Sequence, residues 1–165
     1  MPFNIQWIDS ATGAEDVLSL DTPAGQLMLA VREDVIIAVD WASGRNARSP
    51  HEHPIQQQLA RYWVNPEFST PIKLLRQGST YRHQVWAALS AIPLGETVSY
   101  SAVAKTIASS ARAVGNACRD NPYPLFIPCH RVVSVSGMGG YCGQTNGYLM
   151  GIKRNLLAFE AAFKK

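Results

Sequence analysis

The run Ile127-Pro128-Cys129-His130-Arg131-Val132-Val133 holds the pair best suited to covalent chemistry, a cysteine directly before a histidine among apolar neighbours. The thiolate is the reacting form of cysteine, and a nearby base raises its population. Upstream, Asn121-Pro122-Tyr123-Pro124-Leu125-Phe126 contains two prolines. Each fixes its own φ and pushes the residue before it toward an extended shape. A chain stiffened in this way can hold a thiol at one angle on a pocket wall. A Cys-His pair alone reads first as a buried structural cysteine with a chance neighbour. Its surroundings therefore decide.

Those surroundings contain several spaced motifs. Ile92-Pro93-Leu94-Gly95-Glu96-Thr97-Val98-Ser99-Tyr100 and Ala111-Arg112-Ala113-Val114-Gly115 precede the Asn121-Pro122 and Pro-Cys-His-Arg-Val motifs, and Leu156-Leu157-Ala158-Phe159-Glu160 follows. In this order they resemble the O6-alkylguanine-DNA alkyltransferase family, closely from Ser79 to Phe163 and only faintly before that. The resemblance implies irreversible, stoichiometric transfer of an alkyl group from O6-alkylguanine, and from O4-alkylthymine, to a cysteine without a cofactor.

Charge is distributed unevenly. Residues 1–75 carry 5 Lys/Arg and 9 Asp/Glu, a net −4, whereas residues 76–165 carry 10 and 3, a net +7, which together give the chain's +3. A basic second half suits a polyanion, although a solvated basic surface without a partner gives the same count. The 47% hydrophobic and 16% charged composition is that of a globular protein. No apolar run reaches membrane-spanning length, and the N-terminus lacks a basic-then-apolar signal. The three cysteines (Cys118, Cys129 and Cys142) are odd in number and lack zinc-ligand spacing, which predicts free thiols in the cytoplasm.

The elements that position these residues fall into two expected domains, 1–75 and 76–165. The first is a small α+β unit with an antiparallel sheet and one helix, ribonuclease-H-like by resemblance. Gln26–Val31 and Val35–Val39 predict a hairpin, Val17–Leu20 an earlier strand and Phe68–Ile72 a later one. Ala42 to Pro54 reads as a loop, and Pro54 opens a helix carrying Ile55, Leu59, Tyr62 and Trp63. His51 and His53 lie in that loop and are expected to be exposed. Some family members hold a zinc in this half through cysteines, which this chain lacks there, so no metal is expected.

The second domain is expected to be mainly helical. Ser79 or Thr80 caps one helix, Ser99 caps a second from Tyr100 to Ile107, and a third runs from Ala111 to Arg119 after a short turn. The latter two match a helix-turn-helix pattern. The third helix is rich in small residues (Ala111, Ala113, Gly115) with Arg112 the long side chain near its start. Such a face permits either close packing of two helices or close approach to a narrow minor groove. A final helix is predicted from Ile152 to Phe163.

The resemblance assigns roles to these positions. Cys129 matches the alkyl acceptor, His130 the base acting through a water, and Glu160 the carboxylate orienting that base. Tyr100 matches the residue that protonates departing guanine and crowds the phosphate, and Asn121 the residue bracing the turn before the active site. Arg112 matches the arginine that fills the gap left by a flipped nucleotide, on a helix in the minor groove of double-stranded DNA. The substrate pocket would draw on Cys118, Arg119, Val132, Tyr141 and Cys142, and the protein would act as a monomer.

Two departures stand out. Tyr100 to Arg112 is slightly shorter than the family pattern, and the run from Cys142 to Gly151 is several residues longer. Gln144–Gly151 is expected to form a mobile lip bearing an apolar patch of Tyr148, Leu149 and Met150. Two rival readings exist. A lesion-binding protein of the alkyltransferase-like kind lacks the reactive cysteine, which Cys129 supplies here. A cysteine hydrolase is disfavoured because adjacent residues project in different directions along an extended chain.

Overall fold

The computed structural model describes residues 3–42 and 53–163. It divides into two compact units, Met1–Gln77 and Gly78–Lys165.

The first unit is a five-stranded sheet with one helix. Strands β1 (Phe3–Ile8), β2 (Glu15–Asp21), β3 (Gln26–Arg32), β4 (Val35–Trp41) and β5 (Thr70–Leu75) lie in the order β1-β5-β4-β3-β2. The predicted hairpin is β3–β4, turned by Glu33 and Asp34, with Glu33 at φ 55°. The expectation of a purely antiparallel sheet is wrong, because β5 runs parallel to both β1 and β4. Helix α1 (Pro54–Val64) lies between β4 and β5 in the chain, and a helical crossover returns a strand parallel to the one before it. Strand β1 escaped the sequence reading, although Phe3, Ile5 and Trp7 alternate with Asn4 and Gln6 as a half-buried strand requires.

Helix α1 begins where Pro54 predicts. It buries Ile55, Leu59 and Tyr62 against β2 and β5, and the Tyr62 ring lies 4.6 Å from that of Phe3. His53 is not the exposed residue expected. It is the N-cap: its Nδ1 accepts from Ile55 N–H at 3.1 Å, which leaves Nε2–H to donate to the Glu33 carbonyl at 3.1 Å. His51 and most of the predicted loop lie outside the described residues.

The second unit has helices α2 (Thr80–Ser90), α3 (Tyr100–Thr106), α4 (Ala111–Arg119) and α5 (Tyr148–Ala161), plus a 3-10 turn at Cys129–Arg131. Three serines start three helices: Ser79, Ser99 and Ser110 accept from the N–H groups of Arg82, Ala102 and Ala113, each three residues on. Val85, Trp86, Leu89, Val103, Val114 and Ala117 are buried, and Trp86 Nε1 donates to the Ala117 carbonyl at 3.1 Å, fastening α2 to α4. Two short strands, β6 (Val98–Ser99) and β7 (Val132–Val133), pair in parallel. This pairing sets the start of α3, with Tyr100, beside the chain leaving Cys129.

Candidate active site

The cysteine is presented by a tight backbone device. Pro128 has φ −80° and ψ 64°, and Cys129 N–H bonds the Ile127 carbonyl at 2.8 Å, so the chain makes an inverse γ-turn directly before the nucleophile. The 3-10 turn follows, with Arg131 N–H on the Pro128 carbonyl at 3.0 Å. Asn121 braces this segment: its amide donates to the Ile127 carbonyl at 2.9 Å, and its oxygen accepts from Tyr123 N–H at 2.9 Å. Leu125, buried nearby, takes φ 81°, an uncommon conformation for a branched residue, and it is held there by the packing around it.

Cys129 is 3% exposed. Burial pushes its thiol pKa up, while a hydrogen bond from Asn121, the Lys153 ammonium and a backbone N–H oppose that rise. The resting group is the protonated thiol, so reaction requires a base.

His130 supplies one. It is fully buried, and its Nε2 lies 2.7 Å from Glu160 Oε1. Burial pushes the imidazole pKa down, against the opposing pull of Glu160. For Glu160, burial raises the carboxyl pKa, but the contacts of His130 and Arg131 outweigh it and hold it at about 2. The pair is therefore a carboxylate and a neutral imidazole: Nε2–H donates to Glu160, and Nδ1 carries the free lone pair. Nδ1 is buried and has no hydrogen-bond partner among the described residues, so it is the basic atom of the site.

Arg131 completes this cluster. Its Nε lies 2.9 Å from Glu160 Oε2, a terminal nitrogen lies 2.7 Å from Oε1, and the other terminal nitrogen donates to the Ile92 carbonyl at 2.8 Å. A planar guanidinium gripping both oxygens keeps the carboxylate charged. No role for Arg131 was read from the sequence, although it stands inside the Pro-Cys-His-Arg-Val motif.

Lys153 was also missed. Its ammonium is fully buried and donates to three carbonyls, Val132 at 2.8 Å, Met138 at 2.7 Å and Gly140 at 2.8 Å. Burial lowers its pKa to about 8, and the neighbouring thiols pull it back up. The available signal was helical spacing: positions 149, 153, 156 and 160 form one stripe of α5, so Lys153 and Glu160 both interrupt an apolar face.

A cavity of about 220 Å³ opens at this point, lined by Tyr100, Cys118, Arg119, Cys129, Tyr141 and Cys142 among others. Burial pushes the Tyr100 pKa up to about 12, reinforced by Cys118 and Cys129, so its hydroxyl stays protonated and can donate. Gly139, at φ 71°, lies against the Tyr100 ring, where an added Cβ would come within 3.0 Å. Val132, expected in the pocket, is buried in β7 and does not line this cavity, and its carbonyl accepts from Lys153.

The expected lip is shorter than the sequence suggests. Tyr148 to Gly151 form the first turn of α5, where Leu149 and Met150 are buried in the core and Tyr148 stays exposed. The remaining loop folds back through a bridge between Tyr141 and Gln144, with Cys142 and Gly143 at positive φ. Gln144 and Thr145 therefore line the cavity instead of Tyr148 and Leu149.

On α4 the buried positions are Val114, Ala117 and Cys118. Ala111, Ala113 and Gly115 are only partly covered, Arg112 is exposed, and a Cβ at Gly115 would meet nothing within 4 Å. Of the small residues, Gly115 faces open space, Ala111 and Ala113 are half-buried, and Ala117 belongs to the core. A larger hollow of about 480 Å³ lies in the first unit over Ile36, Ile55 and Ile72. It contains no thiol, and its Lys73 is already paired with Asp34 at 2.6 Å. Among the described residues, no cluster of His, Cys, Asp or Glu is placed to hold a metal, and no helix is long and apolar enough to cross a membrane.

The comparisons with known proteins agree with this geometry. Residues 80–162 match the family described as "6-O-methylguanine DNA methyltransferase, DNA binding domain". The constitutive methylated-DNA--protein-cysteine methyltransferase of Bacillus subtilis is 33% identical over 152 residues, covering 81% of this chain and 92% of the relative. The methylated-DNA--protein-cysteine methyltransferase of Mycolicibacterium paratuberculosis is 36% identical over 153 residues, covering 86% of this chain and 90% of the relative. The crystal structure of Mycobacterium tuberculosis O6-methylguanine methyltransferase superposes with a TM-score of 0.72 at 32% identity, covering 92% of this chain and 96% of that one. A structure of the same organism's protein in complex with DNA gives 0.70 at 33% identity, covering 88% and 93%. With the motif order, the mixed α+β fold and the buried cysteine all in agreement, this chain belongs to the 6-O-methylguanine DNA methyltransferase family.

Proposed function

We propose that the protein repairs DNA by moving an alkyl group from O6 of a flipped-out guanine to Sγ of Cys129. The observation that carries this reading is a buried thiol on a cavity wall, next to a neutral histidine whose free nitrogen is the basic one. His130 Nδ1 takes the thiol proton through a bridging water, and Glu160, held by Arg131, keeps the imidazole in that tautomer. Sulfur attacks the alkyl carbon, the carbon–O6 bond breaks, and the departing guanine is protonated by Tyr100. A thioether then occupies Cys129 and the protein is spent, which makes the transfer stoichiometric. O4-alkylthymine presents the same carbon on a smaller ring.

The second unit is read as the DNA-binding and transfer domain. Helices α3 and α4 act as a helix-turn-helix whose open, small-residue face enters the minor groove, with Arg112 occupying the gap in the stack. The excess of Lys and Arg in this half supports a phosphate partner. The first unit, a mixed sheet covered by α1, is read as ribonuclease-H-like and contributes no chemistry. The protein works as a cytoplasmic monomer.

Incubation with an O6-methylguanine duplex, followed by intact mass and peptide mapping, tests this reading. One methyl per chain on Cys129 is expected, with none on Cys129→Ala, which still binds the duplex. Methyl recovered on Cys118 or Cys142 overturns the assignment, and binding without any gain in mass indicates a lesion-binding protein.

A further inference from the structure

We propose that Cys118 is a resolving thiol for Cys129, so that mild oxidation closes a reversible disulfide between them and shelters the nucleophile from irreversible loss. All three cysteines of the chain are free thiols, and all three line the one cavity of about 220 Å³. Asn121 ties the segments bearing Cys118 and Cys129 together: its N–H bonds the Cys118 carbonyl at 3.3 Å, and its side-chain amide donates to the carbonyl of Ile127, two residues before Cys129, at 2.9 Å. The chain between the two cysteines is thereby folded back on itself, and burial together with the neighbouring Cys129 raises the cost of ionising Cys118. The Lys153 ammonium faces both and favours whichever thiol ionises first.

The oxidant is hydrogen peroxide. Cys129 thiolate attacks one peroxide oxygen, the O–O bond breaks, and sulfenic acid and water result. Cys118 thiolate then attacks the sulfenic sulfur and expels the oxygen as a second water. Two thiols lose two electrons and two protons, and one peroxide gains them. Without a thiol in reach, sulfenic acid proceeds to sulfinic acid, which ordinary reductants do not reverse. An intracellular disulfide of this kind is transient and reducible, as expected in a reducing compartment.

That closure would switch off repair rests on reading Cys129 as the alkyl acceptor; the disulfide itself does not. The full chain is treated with hydrogen peroxide, its remaining thiols are capped, and it is mapped without reduction. A Cys118–Cys129 cross-linked peptide is expected in the wild type and in Cys142→Ala. Dithiothreitol should then return the wild type to its starting methyl transfer. Cys118→Ala, compared with its own unoxidised activity, should regain almost none and carry Cys129 sulfinic acid. A Cys129–Cys142 cross-link, direct sulfinic acid in the wild type, or full rescue of Cys118→Ala each overturns the proposal. If untreated protein transfers no methyl, the acceptor reading fails while the peptide map still decides the disulfide.

Discussion

Replacing Glu160 by Gln tests the buried cluster on which the proposed chemistry depends. The carboxylate is fully buried and takes hydrogen bonds from His130 and from two nitrogens of Arg131. An amide keeps the shape but removes the charge, and it aims its own N–H groups at two donors. Removing one partner of a buried ion pair costs about 3–5 kcal/mol, because the other charge stays behind. Titration gives a consistent figure. A carboxyl that falls from 4.5 to about 2 on folding contributes about 3 kcal/mol at neutral pH. Because the folded pKa is the lower one, this contribution is complete well above the unfolded value and is lost as pH falls toward 2. Near pH 3.5 roughly 1 kcal/mol of it is already gone. Urea denaturation of both proteins at pH 7 and near pH 3.5 reads this directly. Glu160→Gln should be less stable by about 3 kcal/mol at pH 7, with a smaller gap in acid. Methyl transfer should fall too, since His130 loses the acceptor that keeps Nδ1 basic. A variant within about 1 kcal/mol of wild type at pH 7, or a gap that does not shrink in acid, refutes this account of the cluster.

Three further outcomes follow from the same structure. Lys153→Met leaves the buried Val132 carbonyl without its donor and hands two half-buried carbonyls, Met138 and Gly140, to water, so stability in urea should fall by about 1–3 kcal/mol, the cost of one unsatisfied buried group; a loss below that range means the Val132 carbonyl finds another donor. Arg112→Ala should slow repair of duplex DNA far more than reaction with free O6-benzylguanine, because only the duplex requires a base to leave the stack; equal losses on both substrates assign Arg112 to the fold. Because Gln144 and Thr145 line the cavity while Leu149 and Met150 are core, Thr145→Ala should shift the ratio of O6-benzylguanine to O6-methylguanine rates without altering stability. An unchanged ratio removes this loop from substrate selection.

Local chemistry made much of this protein legible from its sequence. Serines at positions 79 and 99 start two helices where the sequence places them, because a short hydroxyl side chain can bond an N–H group three residues on, and that depends on nothing distant. Pro54 opens α1 for the same kind of reason, and the β3–β4 hairpin is set by two β-rich runs around a short turn. The nucleophile and the motifs flanking it were likewise visible as a string of residues. Properties that depend on distant partners were decided only by the tertiary structure. A strand's direction relative to its neighbour depends on the connection between them, so the parallel pairing of β5 was hidden, as was that of β6 with β7. Where α5 starts depends on what covers Leu149 and Met150, not on their own propensity. A buried charge survives only if the fold brings it partners, and those of Glu160 lie 29 and 30 residues away in the chain. Lys153 finds its three carbonyls 13 to 21 residues away, so what its charge does on the apolar stripe of α5 was settled only by the folded chain.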